Sequence, residues 1–146
     1  MRSRRRKRCR TLSTVMKSPA SILIVDDERQ SRRLLEALLR PEGYALRIVA
    51  SGREALTAIA EDPPDLILLD FLLPGIDGRR VATLVKAAPA TRNIPIIMLT
   101  ALDHREARLM ALDAGVEEFL TTPIDRAELW LRVRNLLRLK ELGDLL

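Results

Sequence analysis

The sequence predicts an α/β fold, a five-stranded parallel sheet with helices wound over both of its faces. Three observations carry that prediction. Short apolar runs at Ser21–Val25, Leu66–Asp70 and Ile96–Thr100 are bounded by turn-forming residues and are too short for buried helices, so they read as strands covered on both sides. Segments with apolar residues at helical spacing lie between them, giving a β-α alternation repeated five times with short connections. Hydrophobic residues make up 47% of the chain and aromatics only 3%, which suits packing by aliphatic layers. At 146 residues the chain is long enough for one such core.

The elements follow in order. Ser21–Val25 ends in the acids Asp26-Asp27-Glu28. Residues 29–40 carry Leu34, Leu35, Leu38 and Leu39 at helical spacing, closed by Pro41 and Gly43. Residues 44–50 form a short strand and lead through Ser51-Gly52 into a helix with Ala55, Leu56 and Ile59 on one face, which Pro63-Pro64 ends. The Leu66–Asp70 strand closes on a carboxylate and the breaker Pro74-Gly75 follows. A helix bearing Val81, Leu84 and Val85 then runs to about residue 88, and the next strand ends at Thr100. Residues 105–114, with Ala107 and the run from Leu109 through Leu112, form a helix stopped by Gly115 in a left-handed cap. A strand over 119–121 precedes Thr122-Pro123, a proline bond that could be cis. Asp125 and Glu128 have the spacing of a capping box for the last helix, which Gly143 is expected to stop.

Five strands of this kind suggest the flavodoxin-like order 2-1-3-4-5, whose switch point lies between the first and third strands. Ligands of open parallel sheets bind beyond the carboxyl ends of the strands at that point. Asp26, Asp27 and Asp70 end those two strands, so the order brings three carboxylates to one crevice. Standing alone, each could be a turn former or a helix cap.

The net charge of +5 misleads as an average. Eight of the 25 basic residues and none of the 20 acidic ones lie within residues 1–20, so the rest of the chain carries −3. Residues 1–20 read as a basic, disordered extension, with Met16 as an alternative start. If real, the extension could contact nucleic acid through phosphates. The mildly acidic remainder argues against nucleic-acid binding by the folded part. The extension lacks the apolar core of a secretory signal, and no segment is apolar enough to span a membrane. A soluble cytoplasmic protein is expected. Cys9 is the single cysteine, which excludes an internal disulfide.

Crowded carboxylates raise one another's pKa and need a cation to stay ionised together. An oxygen-only ligand set favours a hard ion such as Mg²⁺. With the charge offset, one carboxylate can attack phosphorus and form an aspartyl phosphate. Asp70 is the central candidate nucleophile, with Asp26 and Asp27 as metal acids. Thr100-Ala101, at another strand end, offers a hydroxyl donor beside a residue small enough to leave room for phosphoryl oxygens.

Taken together, Asp26-Asp27-Glu28, the stretch from Leu69 to Gly78, Leu99-Thr100-Ala101 and the stretch from Phe119 to Pro123 resemble the receiver domains of bacterial two-component response regulators. The resemblance covers residues 21–140, leaving 141–146 as the end of the fifth helix or a linker stub. It implies that Asp70 is the phosphoacceptor and that Asp26, Asp27, Asp70 and the backbone carbonyl of Leu72 hold Mg²⁺. It further implies that Thr100 and Ala101 bind the phosphoryl group, and that Thr100 and Phe119 switch with it. A sensor histidine kinase or phosphotransfer protein would be the donor. Output would pass through the face built by the fourth helix, fifth strand and fifth helix, which could also form a homodimer.

One position departs from the family. Thr122 stands before Pro123 where such domains usually carry lysine, so an ammonium worth roughly 1.5–3 kcal/mol in a charge-assisted bond is missing. No nearby lysine replaces it, and Arg105 and His104 in the loop after Thr100 are conceivable stand-ins. An alternative reading follows, a pseudo-receiver that acts as a phosphorylation-independent interaction module. An aspartyl-phosphate phosphatase is a third class, disfavoured because Phe71 and Leu72 follow Asp70 where such enzymes carry Asp-x-Asp. The chain is therefore read as a phosphoacceptor and not an enzyme. Its last helix, about 25 Å long over 126–142 at roughly 1.5 Å per residue, is similar to the connector that precedes cyclic-dinucleotide output domains.

Overall fold

The computed structural model describes residues 18–101 and 105–145. Strands β1 (Ser21–Val25), β2 (Ala45–Val49), β3 (Leu66–Asp70), β4 (Ile96–Thr100) and β5 (Glu118–Thr121) form one parallel sheet in the order β2-β1-β3-β4-β5. This is the doubly wound order expected. Helices α1 (Arg29–Leu39), α2 (Gly52–Glu61), α3 (Gly78–Ala87), α4 (Arg105–Asp113) and α5 (Arg126–Leu145) alternate with the strands, and a short 3-10 turn, Arg40–Glu42, follows α1. Residues 1–17, which hold nearly all of the basic extension, and His104 lie outside the described residues.

Strand side chains alternate between two apolar layers, as the period of two requires. Leu23, Val25, Ile67, Leu69, Ile96 and Met98 meet Ala55, Ile59, Val81, Val85 and Ala111 of α2, α3 and α4. Ile22, Ile24, Leu66, Leu68, Ile97 and Leu99 meet Leu35, Leu39, Leu129 and Val133 of α1 and α5 on the other face. Both layers are buried, which is why the central strands read as unbroken apolar runs instead of alternating ones. Trp130 ties α5 to the end of α1 by donating its indole N–H to the Leu38 carbonyl at 2.8 Å.

Local signals close most elements as expected. Gly115 takes φ +94° just past α4, a conformation that favours glycine. Asp77 caps α3 by accepting from Arg80 N at 2.9 Å. At α2 the Ser51 hydroxyl accepts from Glu54 N at 3.1 Å while the Glu54 carboxylate accepts from Ala50 N at 2.8 Å. Two otherwise orphaned donors are thereby satisfied.

Leu34, Leu109 and Leu112, which the sequence places in helical runs, are about half exposed, because consecutive apolar residues on a helix point to different sides. Among the described side chains of α4 and the residue that follows it, Ala111 and Ala114 are buried. Asp125 does not complete a capping box; its carboxylate accepts from Ala127 N at 3.2 Å, and Glu128 pairs instead with Arg132 at 3.6 Å. Gly143 does not stop α5, which continues to Leu145 with the Lys140–Asp144 ion pair at 2.9 Å bridging the glycine. An i,i+4 pair and continued backbone bonding there offset the roughly 1 kcal/mol cost of a helical glycine. The strand over 119–121 begins one residue earlier, at Glu118, and that over 44–50 is trimmed to Ala45–Val49.

Candidate functional site

The site is assembled by register. Val25 of β1 pairs with Leu69 of β3, so Asp26 and Asp70 leave neighbouring strands at the same height. Asp27 follows directly. Oxygens of Asp26, Asp27 and Asp70 all lie within 4.8 Å of one another. Asp26 is buried, Asp70 half-buried and Asp27 exposed, so the cluster grades from the protein interior to solvent.

Electrostatic strain concentrates on the central member. Burial, the Asp26 charge and the Asp27 charge push the Asp70 carboxyl up to about 7, against the pull of N–H groups from Leu72 and Phe71. Leu72 N donates to Asp70 Oδ1 at 3.4 Å. Burial also raises Asp26, opposed by Glu28 N, which donates to its Oδ1 at 2.9 Å, and by the Ser31 hydroxyl. Two acids with raised affinity for protons, side by side, are acids short of a cation.

These groups floor a cleft of about 600 Å³ at the carboxyl ends of the strands. Leu72, Ala101, Thr122 and Pro123 line it together with Asp26, Asp27 and Asp70. The Thr122-Pro123 bond is cis. Thr100 is buried at the end of β4, where its carbonyl accepts from Thr122 N at 2.9 Å. Phe119 is not brought to the cleft. On β5 it pairs with Met98 of β4, packs against the α2-α3-α4 layer and lies under the Arg108 guanidinium, 4.8 Å from its ring centroid. Among the described residues no lysine, arginine or histidine lines the cleft, and Arg105 stands exposed at the start of α4.

Three contributors were not singled out from the sequence. Ser31, in the first turn of α1, turns its hydroxyl toward Asp26 and favours the ionised acid. Arg32 donates to the Asp26 carbonyl at 2.8 Å, fixing the backbone under the acid. Gly78 lets the start of α3 press on the end of β3, since a Cβ there would fall 2.2 Å from the Asp70 carbonyl oxygen. The serine and arginine carry no sequence signal because their role depends on where α1 crosses the strand end. The glycine does carry one, as Asp77-Gly78 stands at a helix start where no φ above zero requires glycine.

An oxygen-only donor set of this size fits a hard divalent cation. Residues 22–134 match the family model described as response regulator receiver domain. The chain is 46% identical over 125 residues to response regulator PleD of Caulobacter vibrioides, covering 86% of this chain and 28% of the relative. It is 40% identical over 120 residues to response regulator MprA of Mycolicibacterium vanbaalenii, covering 82% of this chain and 51% of that protein. The chain thus spans about half or less of these relatives. Among solved structures, a candidate response regulator from Chloroflexus aurantiacus aligns with TM-score 0.80 at 42% identity over 82% of this chain and 98% of its own. The receiver domain of a Pseudomonas aeruginosa sensor histidine kinase, solved with a magnesium ion coordinated in its active site cleft, aligns with TM-score 0.77 at 34% identity over 82% of this chain and 98% of its own. With the sheet order, the acidic cleft and these likenesses in agreement, the chain belongs to the response regulator receiver domain family.

Proposed function

We propose that the chain is a Mg²⁺-dependent phosphoacceptor of a two-component system, taking a phosphoryl group on Asp70 from a sensor histidine kinase or phosphotransfer protein. The observation that carries this reading is the meeting of three carboxylates from β1 and β3 within 4.8 Å. Asp26, Asp27, Asp70 and the Leu72 carbonyl would hold the ion. Bound there, Mg²⁺ supplies positive charge that keeps Asp70 ionised and offsets its repulsion from phosphoryl oxygens. An Asp70 carboxylate oxygen forms the bond to phosphorus as the donor's own bond to phosphorus breaks. Thr100 and Ala101 receive the phosphoryl oxygens, one as a hydroxyl donor and the other by leaving room.

Phe119 and the α4-β5-α5 face carry the output, either to a second copy of the chain or to a cyclic-dinucleotide output domain or protein. The exposed leucines Leu109, Leu112 and Leu131 on α4 and α5 support an apolar contact there. Domain boundaries at 21–140, a cytoplasmic location and a non-enzymatic role complete the reading. Among the described residues no helix is long and apolar enough to cross a membrane.

A second reading is favoured by one observation, that among the described residues no cationic side chain lines the cleft at Thr122 or around it. In that reading the domain is a pseudo-receiver that binds its partner whether or not Asp70 is modified. The two separate by mass spectrometry after incubation with Mg²⁺ and a small acyl phosphate. A gain of one phosphoryl group on the wild type, absent from Asp70→Asn, is expected. No gain on the wild type, or an equal gain on the variant, defeats the phosphoacceptor reading.

A further inference from the structure

The two sides of the acidic cleft are joined by a corner that contributes no side chain to it. Asp26 N donates to the Val49 carbonyl at 3.2 Å, which ties the acid side of the cleft to the end of β2. Just beyond it, the Ser51 hydroxyl caps α2 at Glu54 N and the Glu54 carboxylate accepts from Ala50 N, which together fix the start of the helix. Gly52, the first residue of that helix, is buried against the loop from Phe71 to Asp77, which carries Leu72. A Cβ on Gly52 would fall 2.5 Å from the Ile76 carbonyl oxygen, 3.2 Å from Ile76 Cβ and 3.0 Å from Val81 Cγ2. The loop is closed at its other end by Gly78 N, which donates to the Phe71 carbonyl at 3.1 Å.

From these contacts we infer that Gly52 is a positioning residue for the cation site, and that the corner from Val49 to Gly52 sets the separation between the Asp26 side and the Leu72 loop. The inference rests on the reading of the cleft as a Mg²⁺ site. Gly52 adopts ordinary backbone angles, so the reason for glycine is space and not conformation. The nearest obstacle is a backbone carbonyl, which cannot swing aside as a long side chain can. Adding a methyl group therefore displaces the loop or the corner toward ordinary contact, which begins at 3.4 Å. Mg²⁺ tolerates little change in the spacing of its ligands. Loss of the outer-shell groups that orient metal ligands typically costs about 10–100-fold in affinity, which sets the scale expected for a displaced ligand loop.

The test is the affinity for Mn²⁺, read by electron paramagnetic resonance on the folded protein well below its unfolding temperature. Gly52→Ala is expected to raise the Mn²⁺ dissociation constant about tenfold. Ile76→Gly, which leaves the carbonyl in place but takes away the side chain through which the loop packs at this corner, is expected to raise it as well and decides the matter if Gly52→Ala does not fold. Val133→Ala, a truncation in the α5 layer on the opposite face, is expected to lower stability while leaving the affinity unchanged. Wild-type affinity in both corner variants overturns the inference. So does an equal loss in Val133→Ala, which would make the effect one of general stability. Failure of the wild type itself to bind Mn²⁺ would overturn the Mg²⁺ reading together with this one, whereas wild-type binding with unaffected corner variants removes only the role of Gly52.

Discussion

The two ends of the sheet hold acids in opposite ways. At the amino ends, Glu117 before β5 receives Lys86 Nζ at 2.8 Å and accepts from Ile96 N with its other oxygen, also at 2.8 Å. Asp65 before β3 accepts from Ser21 N at 2.8 Å and lies 4.0 Å from Lys140 Nζ. At the carboxyl ends, Asp26 and Asp70 face each other and Asp27 with no cationic side chain lining the cleft among the described residues. Charge at the first end is satisfied and holds the fold. At the second end it is left in mutual repulsion, which a domain tolerates where a ligand is to bind. Stability is set aside for chemistry at the carboxyl ends of the strands.

If that contrast is right, deleting a charge should have opposite signs at the two ends. The largest effect is expected at the amino end. Lys86 is mostly buried and donates to the Arg92 and Ile94 carbonyls at 3.0 and 2.7 Å as well as to Glu117. Lys86→Met keeps the alkyl stem but strands three acceptors, one of them charged, and should cost about 3 kcal/mol by denaturant unfolding. A cost under about 0.5 kcal/mol, the level of an ordinary surface pair, would erase the distinction between the ends.

Asp70→Asn should do the reverse in metal-free protein. The folded-state carboxyl is raised to about 7 by burial and by Asp26 and Asp27, above its unfolded value near 3.8. The native state therefore binds the extra proton between those values, and stability falls as pH rises from about 4 through 7. The variant carries no such group, so it should gain about 1–2 kcal/mol over the wild type at pH 8 and nothing near pH 4, a figure discounted because the carboxyl is partly open to solvent. Saturating Mg²⁺ should cancel most of that gain by stabilising the wild type. Parallel stability curves for the two proteins across this pH range would show that the carboxyl end is not strained.

The same contrast governs what could be read from the sequence. The strands were legible because Ile22 to Val25 and Leu66 to Leu69 are buried on both faces, leaving unbroken apolar runs between breakers. Asp26 and Asp70 were legible because strand order alone sends both to one crevice. Helix faces were less so: Leu34 and Leu35 are neighbours, yet one is about half exposed and the other is buried in the core, a choice made by how α1 sits on the sheet. Gly52 was illegible as a site residue because what it permits is a close approach to a segment far away in the chain. Gly143 misled because a helix that gains an ion pair across a glycine need not end at it.

The smallest expected effect sharpens the comparison most directly. Thr122 is exposed and lines the cleft with Asp70, so Thr122→Lys would give the carboxyl end the kind of cation that the amino end already has. An ammonium at the rim favours the ionised carboxylate and should draw the Asp70 titration downward from about 7. The native state then binds its extra proton over a narrower span, so the loss of stability on raising the pH toward 8 should shrink by less than about 1 kcal/mol, as suits a partly solvated pair. Carbon NMR of the Asp70 carboxyl reads the titration itself, and Mg²⁺ should shift it less in the variant than in the wild type. An unmoved titration would mean that Thr122 stands too far from the carboxylate for a cation there to matter, and that crowding among the acids, not the missing ammonium, is what strains this end of the sheet.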